Sequence, residues 1–249
     1  MDKYLLVHKY KLNKMEVLIL AGGLGTRLRS EVKDVPKCMA PVAGKPFLWY
    51  LLKDLNKYKE VTRVILSVGY LREFIFKWIE GVRREFSFAI EYAIEEKPLG
   101  TGGGIKLALN QTVTNNVIVL NGDTYFAVNL NELMTVHLQN PSAVTLALKP
   151  MSNFDRYGRV IIDESDKRIV EFKEKEHCKE GLVNGGVYVI NKLEPIFEGL
   201  PEKFSFETTV LETQCRLGKL FGVVQNGYFI DIGIPSDYHR AEIELKDLQ

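Results

Sequence analysis

Residues 16–28 read EVLILAGGLGTRL and decide the fold class of this chain. The apolar run 16–21 ends at glycines, which is typical of a strand that is buried in a parallel sheet. Three glycines and then Arg27 follow; glycines let backbone N–H groups turn toward an anion, and a helix N-terminus behind them adds positive charge. The segment lacks the third glycine of the dinucleotide fingerprint and the Gly-Lys-Ser/Thr of a Walker loop. We predict a phosphate-binding loop; the alternative is a tight turn without a ligand.

The N-terminal half continues as an alternation of strand-like and helix-like segments. Apolar runs predict strands at 62–68, 88–94 and 117–120. Helical patterns lie between them, at 47–55, 71–84 and 101–109. Such alternation indicates parallel strands joined by right-handed crossovers.

After residue 141 the pattern changes to strands with little helix between them. Strands are predicted at 143–148, 159–163, 169–172, 183–190, 220–224 and 228–231. Helices are predicted at 207–217 and 236–248. Because no linker or repeat separates the two halves, we expect one continuous sheet in a single domain, 15–249, after an N-terminal extension, 1–14.

Composition excludes several classes of protein. Of 249 residues, 46% are hydrophobic and 26% charged, unlike disordered, collagen-like or disulfide-scaffold chains. The net charge of +1 gives no basic surplus for binding nucleic acid. Cys38, Cys178 and Cys215 are widely spaced, so a reducing cytoplasm is expected rather than a disulfide framework or structural zinc. The apolar run at 5–7 is far too short for a signal peptide or membrane span, and no membrane partner is expected.

A second glycine-rich segment, EEKPLGTGGG at 95–104, lies between a predicted strand and a predicted helix. Two such loops indicate one ligand that spans two strand ends. A carboxylate of Glu95 or Glu96 could accept hydrogen bonds from the N1–H and amino groups of guanine, an edge that other bases do not present. Guanine is therefore the favoured base, and a solvent-facing acidic pair is the alternative. Lys37, downstream of the first glycine loop, would supply a mobile charge for a polyphosphate.

Two aspartates follow apolar strands, Asp123 in VIVLNGD at 117–123 and Asp231 in YFIDIG at 228–233. Ligands of open parallel sheets bind at the carboxyl ends of strands. Lone aspartates at such places mostly form turns. Mg²⁺ that bridges phosphates, however, takes only one or two protein carboxylates. Beside two phosphate-type loops, both aspartates are predicted to be metal ligands.

Other polar segments have an ordinary interpretation as solvated strand edges unless they line a second subsite, namely IVEFKEK at 169–175 and NGGVY at 184–188. The four histidines lie outside these motifs, and no serine or cysteine stands in a nucleophile elbow. A phosphate monoester has a second pKa of about 6, so it is already a charged nucleophile at pH 7 and needs no general base. Positioning and charge neutralisation would suffice for transfer.

Taken in order, these motifs resemble those of the sugar-1-phosphate nucleotidyltransferases. The resemblance spans residues 15–241 and rests on LAGGLGTR at 20–27, PK at 36–37, PLGT at 98–101, NGD at 121–123, FKEK at 172–175, NGG at 184–186 and DIG at 231–233. KDVPK at 33–37 and APVAG at 40–44 look most similar to the bacterial D-glycero-α-D-manno-heptose-1-phosphate guanylyltransferases. Where many relatives have a proline beyond the Arg-Leu pair and a Glu-Lys-Pro in the sugar site, this chain has Arg29-Ser30-Glu31 and Glu174-Lys175-Glu176.

The resemblance implies an α/β fold: a Rossmann-like three-layer αβα arrangement with a central mixed, mainly parallel sheet and a small antiparallel sugar-binding part. Residues 15–141 would mainly bind the nucleotide and residues 142–249 the sugar phosphate. The implied reaction joins GTP to a sugar 1-phosphate, with manno-heptose 1-phosphate favoured, and releases pyrophosphate. Its cofactor would be Mg²⁺, for which Mn²⁺ could substitute.

By position, the resemblance implies a role for each motif residue. The catalytic residues would be Arg27, Lys37, Asp123 and Lys175. Nucleotide binding would fall to Leu20, Ala21, Gly22, Gly23, Gly25, Thr26, Glu95, Gly100, Thr101, Gly102, Asn121 and Gly122. Sugar-phosphate binding would fall to Tyr157, Gly158, Glu174, Lys175, Asn184 and Gly185. The metal ligands would be Asp123 and Asp231.

Several alternatives stay open at this point. Another sugar 1-phosphate, such as mannose 1-phosphate, would keep the guanylyl transfer, and UTP would make the protein a uridylyltransferase. A non-catalytic nucleotide-sugar-binding regulatory subunit is a third interpretation, and a nicotinamide oxidoreductase is disfavoured by the missing glycine. No hexapeptide repeat follows, so a stand-alone transferase is expected, with its assembly as monomer or homo-oligomer undecided.

Overall fold

The computed structural model describes residues 14–23, 28, 31–32, 34–175 and 177–248, and for residues 173–175 and 248 the backbone alone. Within these residues the strands are β1 Met15–Leu20, β2 Pro41–Val42, β3 Lys45–Pro46, β4 Val61–Val68, β5 Ala89–Ile94, β6 Asn116–Asn121, β7 Thr124–Phe126, β8 Val144–Phe154, β9 Gly158–Ile162, β10 Ile169–Lys175, β11 Cys178–Asn191, β12 Leu220–Val224 and β13 Phe229–Asp231.

The α-helices are α1 Phe47–Leu55, α2 Arg72–Val82, α3 Gly100–Leu109, α4 Leu130–Gln139, α5 Glu212–Arg216 and α6 Pro235–Glu244. A π-helix, Phe206–Leu211, leads directly into α5, and short 3-10 turns lie at Lys37–Met39, Arg83–Glu85 and Lys246–Leu248. No helix in the described part of the chain has the length and apolar character that crossing a bilayer requires.

A nine-stranded sheet forms the centre of the molecule. Its main path is β5-β4-β1-β6-β11-β8-β12. The first four of these strands are mutually parallel, β11 is antiparallel to both of its neighbours, and β12 is parallel to β8. The start of β11 also pairs with β9, which pairs with β10. Two short antiparallel pairs, β2–β3 and β7–β13, stand apart from this sheet.

The sheet separates two apolar cores because successive side chains of a strand point to opposite faces. Val17 and Ile19 of β1 pack into one core together with residues of α1, α2, α4 and α6. Leu18, between them, packs into the other core with residues of α3 and the π-helix. Helices therefore cover both faces of the sheet, and the predicted α/β class, mixed mainly parallel sheet and three layers are confirmed.

The prediction misses α4, although its sequence carries two signals. The side chain of Asn129 caps the helix by accepting a hydrogen bond from the backbone N–H of Glu132 at 3.1 Å. Leu130, Leu133 and Met134 are buried on one face, at the spacing of an amphipathic helix.

Strands β8 and β11 are longer than predicted because their outer halves bury few side chains. Residues 178–184 of β11 pair with residues 148–154 of β8, where the side chains are largely half-buried or exposed. The hydrophobic pattern that marks a core strand is therefore weak in this part of the chain. Apart from Lys14, the predicted N-terminal extension lies outside the described residues.

Candidate functional site

A cavity of about 440 Å³ lies at the carboxyl ends of β1 and β6, where Leu20 is paired with Asn121. Ligands of open α/β sheets bind at this edge. The cavity is lined by residues of the strand ends, the turns behind them and the loop before α3: Leu20, Ala21, Gly22, Gly23, Lys37, Cys38, Glu95, Pro98, Gly100, Thr101, Asn121, Gly122, Asp123 and Lys203. The structure therefore brings together most of the residues predicted to bind the nucleotide.

Some predicted residues lie outside the described part of the chain. Gly25, Thr26 and Arg27 of the first glycine loop are among them, and so are the side chains of Glu174 and Lys175. The backbone of Lys175 is described, and it pairs with Gly158 across β10 and β9.

Two carboxylates that are distant in sequence converge on Lys37. Asp123 follows β6 and Asp231 ends β13, which pairs with β7 so that Asp231 lies opposite Thr124. The backbone N–H of Ile232 donates to the carbonyl of Asp123 at 3.0 Å. Lys37 Nζ lies 2.6 Å from Asp123 Oδ2 and 3.9 Å from Asp231 Oδ1. Three residues predicted for catalysis or metal binding thus form one cluster.

The net charge of the cluster formed by Lys37, Asp123 and Asp231 favours binding of the predicted Mg²⁺. Burial, and then the charge of Asp123, raise the pKa of Asp231, whereas Lys37 and the backbone N–H of Gly233 lower it. Two carboxylates facing one ammonium leave a negative charge that a divalent cation would offset. Carboxylate oxygens are also the donors that Mg²⁺ prefers. The described residues contain no group of three or more His, Cys, Asp or Glu side chains that could hold a metal, but Mg²⁺ bound with substrate phosphates needs only one or two protein carboxylates. The pair Asp123 and Asp231 therefore fits Mg²⁺.

The first glycine turn is packed tightly against the end of β6. The backbone N–H of Gly122 donates to the carbonyl of Leu20 at 3.1 Å, and a Cβ at Gly122 would lie 2.3 Å from that oxygen. Only glycine permits this approach of two backbones. The contact fixes the turn that carries Asp123 beside the glycines that follow β1.

Glu95 is held in the cavity by two hydrogen bonds. Its Oε1 accepts from the hydroxyl of Ser67 at 2.8 Å, and its Oε2 accepts from the backbone N–H of Leu99 at 3.2 Å. Its carboxylate lies where a Cβ at Gly22 would be only 2.8 Å away. Glu96, by contrast, points outward, with 78% of its side chain exposed, and pairs with Arg72 at 3.3 Å. Of the two acidic candidates, only Glu95 lines the cavity.

The glycines before and within α3 make room for the chain itself. Gly100 has φ +72°, and a Cβ there would lie 2.6 Å from the carbonyl oxygen of Phe204. A Cβ at Gly102 would overlap the Phe204 ring. Gly102 does not appear among the residues that line the cavity, and its lack of a side chain is explained by this packing. Gly102 is predicted to bind the nucleotide, and its contact with Phe204 gives a separate, structural reason for glycine at this position.

Thr101 joins α3 to the π-helix. Its hydroxyl donates to Glu207 Oε2 at 2.7 Å and accepts from the backbone N–H of Phe206 at 2.9 Å.

The side-chain oxygen of Asn121, Oδ1, is buried without a hydrogen-bond partner among the described residues. Asn121 is also one of the residues that line the cavity.

The predicted sugar-phosphate residues lie around β9 and β11 rather than in the lining of the main cavity. The Tyr157 ring packs edge-on against Phe229, with ring centroids 6.0 Å apart. Burial, and then the nearby charge of Asp231, raise the pKa of Tyr157. The side chain of Asn184 donates to the Tyr188 hydroxyl at 3.0 Å and accepts from the backbone N–H of Gly186 at 3.0 Å.

Gly185 is explained by packing, since a Cβ there would lie 2.4 Å from the Phe126 ring. Asn184 and Gly185 therefore have structural contacts of their own, whereas Tyr157 lies near Asp231.

Three residues that line the cavity were not predicted as site residues, namely Cys38, Pro98 and Lys203. Lys203 precedes Phe204 and adds a second cation to the cavity, but no recognisable motif surrounds it. Cys38 follows Lys37 and is buried, and burial raises the pKa of its thiol to about 12. Its thiol is therefore protonated at pH 7 and is not a nucleophile.

Comparison with known proteins agrees with this geometry. Residues 16–247 match the nucleotidyl transferase family. The chain is 48% identical, over 93% of its length and 99% of the relative, to the D-glycero-alpha-D-manno-heptose 1-phosphate guanylyltransferase of Aneurinibacillus thermoaerophilus. Identity is 46% to the enzyme of the same name from Campylobacter jejuni, over 91% of this chain and 98% of that one.

A solved structure supports the same relationship. The crystal structure of HddC from Yersinia pseudotuberculosis complexed with GMP-PN superposes with a TM-score of 0.82 at 37% identity, covering 93% of this chain and all (100%) of that one. The family predicted from the motifs is therefore confirmed, and this chain belongs to the nucleotidyl transferase family.

Proposed function

We propose that this chain transfers GMP from GTP to D-glycero-α-D-manno-heptose 1-phosphate, giving GDP-heptose and pyrophosphate. The observation that carries the proposal is the convergence of Asp123 and Asp231 on Lys37. Lys37 and Asp123 line the same cavity as Glu95 and the first glycine turn, and Asp231 lies beside them. Two relatives that are 48% and 46% identical over nearly their whole length bear the name of this activity. They support the choice of both substrates.

The nucleotide side of the reaction falls mainly to residues 15–141. The turn after β1 would hold the triphosphate through its backbone N–H groups, with Gly25, Thr26 and Arg27 extending that contact. Lys37, with 13% of its side chain exposed, lies where a cation is weakly screened and can neutralise phosphate charge.

Asp123 and Asp231 would hold Mg²⁺, or Mn²⁺ in its place, and the bound cation would supply positive charge to the phosphates. The turn between β6 and β7 positions the first carboxylate, and the β7–β13 pair positions the second.

The chemical step is an in-line attack of the sugar-phosphate oxygen on the α-phosphorus of GTP. A P–O bond forms to the sugar phosphate while the bond to the bridging oxygen breaks, and its electron pair leaves with pyrophosphate. The attacking phosphate is already ionised at pH 7, so no side chain has to remove a proton. Lys37 and Arg27 neutralise the departing pyrophosphate, and no covalent enzyme intermediate forms.

Guanine would be recognised by Glu95. Each carboxylate oxygen accepts one hydrogen bond from the protein and keeps a second lone pair for a base donor. The Glu95→Gln variant puts an amide donor where guanine also presents donors. We expect kcat/KM for GTP to fall roughly ten- to hundred-fold. Steady-state kinetics with GTP and UTP check this, with Glu96→Gln as the matched exposed control. Retention of the GTP preference in Glu95→Gln would remove Glu95 from base recognition.

The sugar side falls mainly to residues 142–249, through Tyr157, Gly158, Glu174, Lys175, Asn184 and Gly185. For Lys175→Ala we expect a higher KM for the sugar 1-phosphate and a nearly unchanged KM for GTP, because the lost charge would contact only the sugar phosphate. Lys179→Ala, an exposed lysine of β11, is the control. An unchanged sugar-phosphate KM in Lys175→Ala would exclude this residue from the pocket.

A substrate panel tests the proposal as a whole. The four nucleoside triphosphates are paired with manno-heptose, mannose and glucose 1-phosphates, and pyrophosphate release is measured. The proposal expects the highest kcat/KM for GTP with the heptose phosphate. A preference for mannose 1-phosphate would indicate a mannose-1-phosphate guanylyltransferase, and a preference for UTP would indicate a uridylyltransferase. Binding of a nucleotide sugar without any turnover would indicate a regulatory subunit.

The proposal also covers the setting of the reaction. Its substrates are small molecules, with neither nucleic acid nor membrane as a partner, and we place the reaction in the cytoplasm. The three cysteines are free thiols in the described structure.

A further inference from the structure

An ion pair links the loop that carries Tyr157 to the helix that follows Asp231. Arg156, between β8 and β9, donates from Nη2 to Asp237 Oδ2, and Asp237 lies in the first turn of α6. Only 6% of the Asp237 side chain is exposed, whereas 41% of Arg156 is exposed. Asp237 Oδ1 also accepts from Arg240 at 3.0 Å, but Arg240 belongs to the same helix. Of these two contacts, only that of Arg156 crosses from one element to the other.

The contacts around this ion pair connect it to the metal carboxylates. The Arg156 guanidinium lies 5.5 Å from the centre of the Tyr157 ring, and that ring packs against Phe229. Phe229 stands two residues before Asp231 on β13. The loop at 155–157 therefore contacts the chain both before and after Asp231. The Tyr157 ring contacts β13 and the Arg156 guanidinium pairs with a carboxylate of α6.

A role for Asp237 at the helix N-terminus alone does not explain this arrangement. A carboxylate in the first turn of a helix is favoured by the helix dipole whatever its partner. That preference does not require an arginine from a distant loop, nor burial of the carboxylate. Leaving a buried carboxylate without a partner costs free energy, so the ion pair between Arg156 and Asp237 is expected to persist.

We propose that the Arg156–Asp237 ion pair is a positioning clamp that holds the loop of Tyr157, and with it the sugar 1-phosphate, in register with Asp231. The inference rests on the proposed function, because the sugar 1-phosphate is the substrate assigned to this loop. Neither side chain has to contact substrate. The clamp fixes the distance between the bound sugar phosphate and the pair of carboxylates, Asp123 and Asp231.

The clamp predicts a selective kinetic effect. Arg156→Gln breaks the crossing contact and should raise the KM for the sugar 1-phosphate by about ten-fold, because small displacements of positioning groups are costly. The KM for GTP should stay within about two-fold, since the nucleotide contacts lie elsewhere. Arg156→Lys should restore part of the loss. Arg240→Gln, which removes the other partner of the same carboxylate, should leave both constants near wild type.

Asp237→Asn separates a clamp from a direct contact. If Arg156 acts through Asp237, then Asp237→Asn should reproduce the effect of Arg156→Gln, and the double variant should be no worse than either single one. If Arg156 instead binds the sugar phosphate itself, Asp237→Asn should leave the KM for that substrate near wild type, which would overturn the clamp. Thermal melting of each variant shows whether it is folded, and Arg156→Gln, at a half-exposed position, is the variant expected to fold normally.

The wild-type measurement keeps the two proposals apart. Absence of wild-type pyrophosphate release with GTP and every sugar 1-phosphate tested would overturn the proposed function and the clamp together. Two results would overturn the clamp alone, provided that the wild-type protein turns over. In the first, Arg156→Gln leaves the KM for the sugar phosphate unchanged; in the second, it raises the KM for GTP by as much as the KM for the sugar phosphate.

Discussion

Replacing Lys37 by alanine is expected to lower kcat for pyrophosphate release by about 10²–10³-fold, the usual cost of losing one charge-stabilising donor. The ammonium group of Lys37 lies close to both carboxylates of the cluster, 2.6 Å from Asp123 and 3.9 Å from Asp231. Its removal takes away a charge that neutralises the leaving phosphates and also leaves two carboxylates facing each other. A coupled pyrophosphate assay at saturating GTP and sugar phosphate measures the loss.

Lys57 provides a matched control for this variant. Its Nζ lies 2.6 Å from Asp54, the same distance as in the Lys37–Asp123 pair, but 62% of its side chain is exposed. Exposed ion pairs contribute little, so Lys57→Ala should leave kcat unchanged. Turnover of Lys37→Ala within a few-fold of wild type would show that this lysine does not stabilise the transition state.

The Asp123→Asn variant is expected to lose at least as much, about 10²–10³-fold in kcat. Asparagine keeps the shape of the side chain and removes the charge. It therefore removes both the ion pair with Lys37 and a ligand for the cation that the cluster fits. The measurement is pyrophosphate release at saturating substrates and increasing Mg²⁺, which shows whether more cation restores part of the rate.

Asp163 is the corresponding control. It also follows a strand, β9, but its carboxylate accepts hydrogen bonds from the backbone and hydroxyl of Ser165 in an exposed turn. Asp163→Asn should have normal turnover, since this aspartate only forms a turn. If Asp123→Asn also has near-normal turnover, then Asp123 only forms a turn, as Asp163 does, and it has no role in metal binding or catalysis.

Much of the fold follows from hydrophobic periodicity, and its failures have a physical cause. The predicted helix at 47–55 coincides with α1 because most of its residues are buried against one core. The lengths of β8 and β11 could not be predicted, because their outer halves pair outside the main core and lose the apolar pattern. The π-helix at Phe206–Leu211 depends on Thr101, which is far away in sequence.

The candidate site was predictable residue by residue but not as an arrangement. Asp123 and Asp231 each stand after an apolar strand, which sequence alone reveals. Their convergence depends on the pairing of β7 with β13. The strand at β13 was predicted, but β7 was not, because its three residues are too few for a periodic signal. Lys203 was missed for a similar reason, since it lies at the cavity next to Phe204, which packs on the distant Gly100 and Gly102.

The most direct test of the account compares Asp123→Asn, Asp231→Asn and the double variant in the pyrophosphate-release assay. The central claim is that the two carboxylates act as one unit in one site, and residues that act as a unit have non-additive effects. We expect each single variant to be severely impaired and the double variant to be about as slow as the slower single one. Losses that multiply in the double variant, or normal turnover in Asp231→Asn, would contradict the claim that the carboxylates work together.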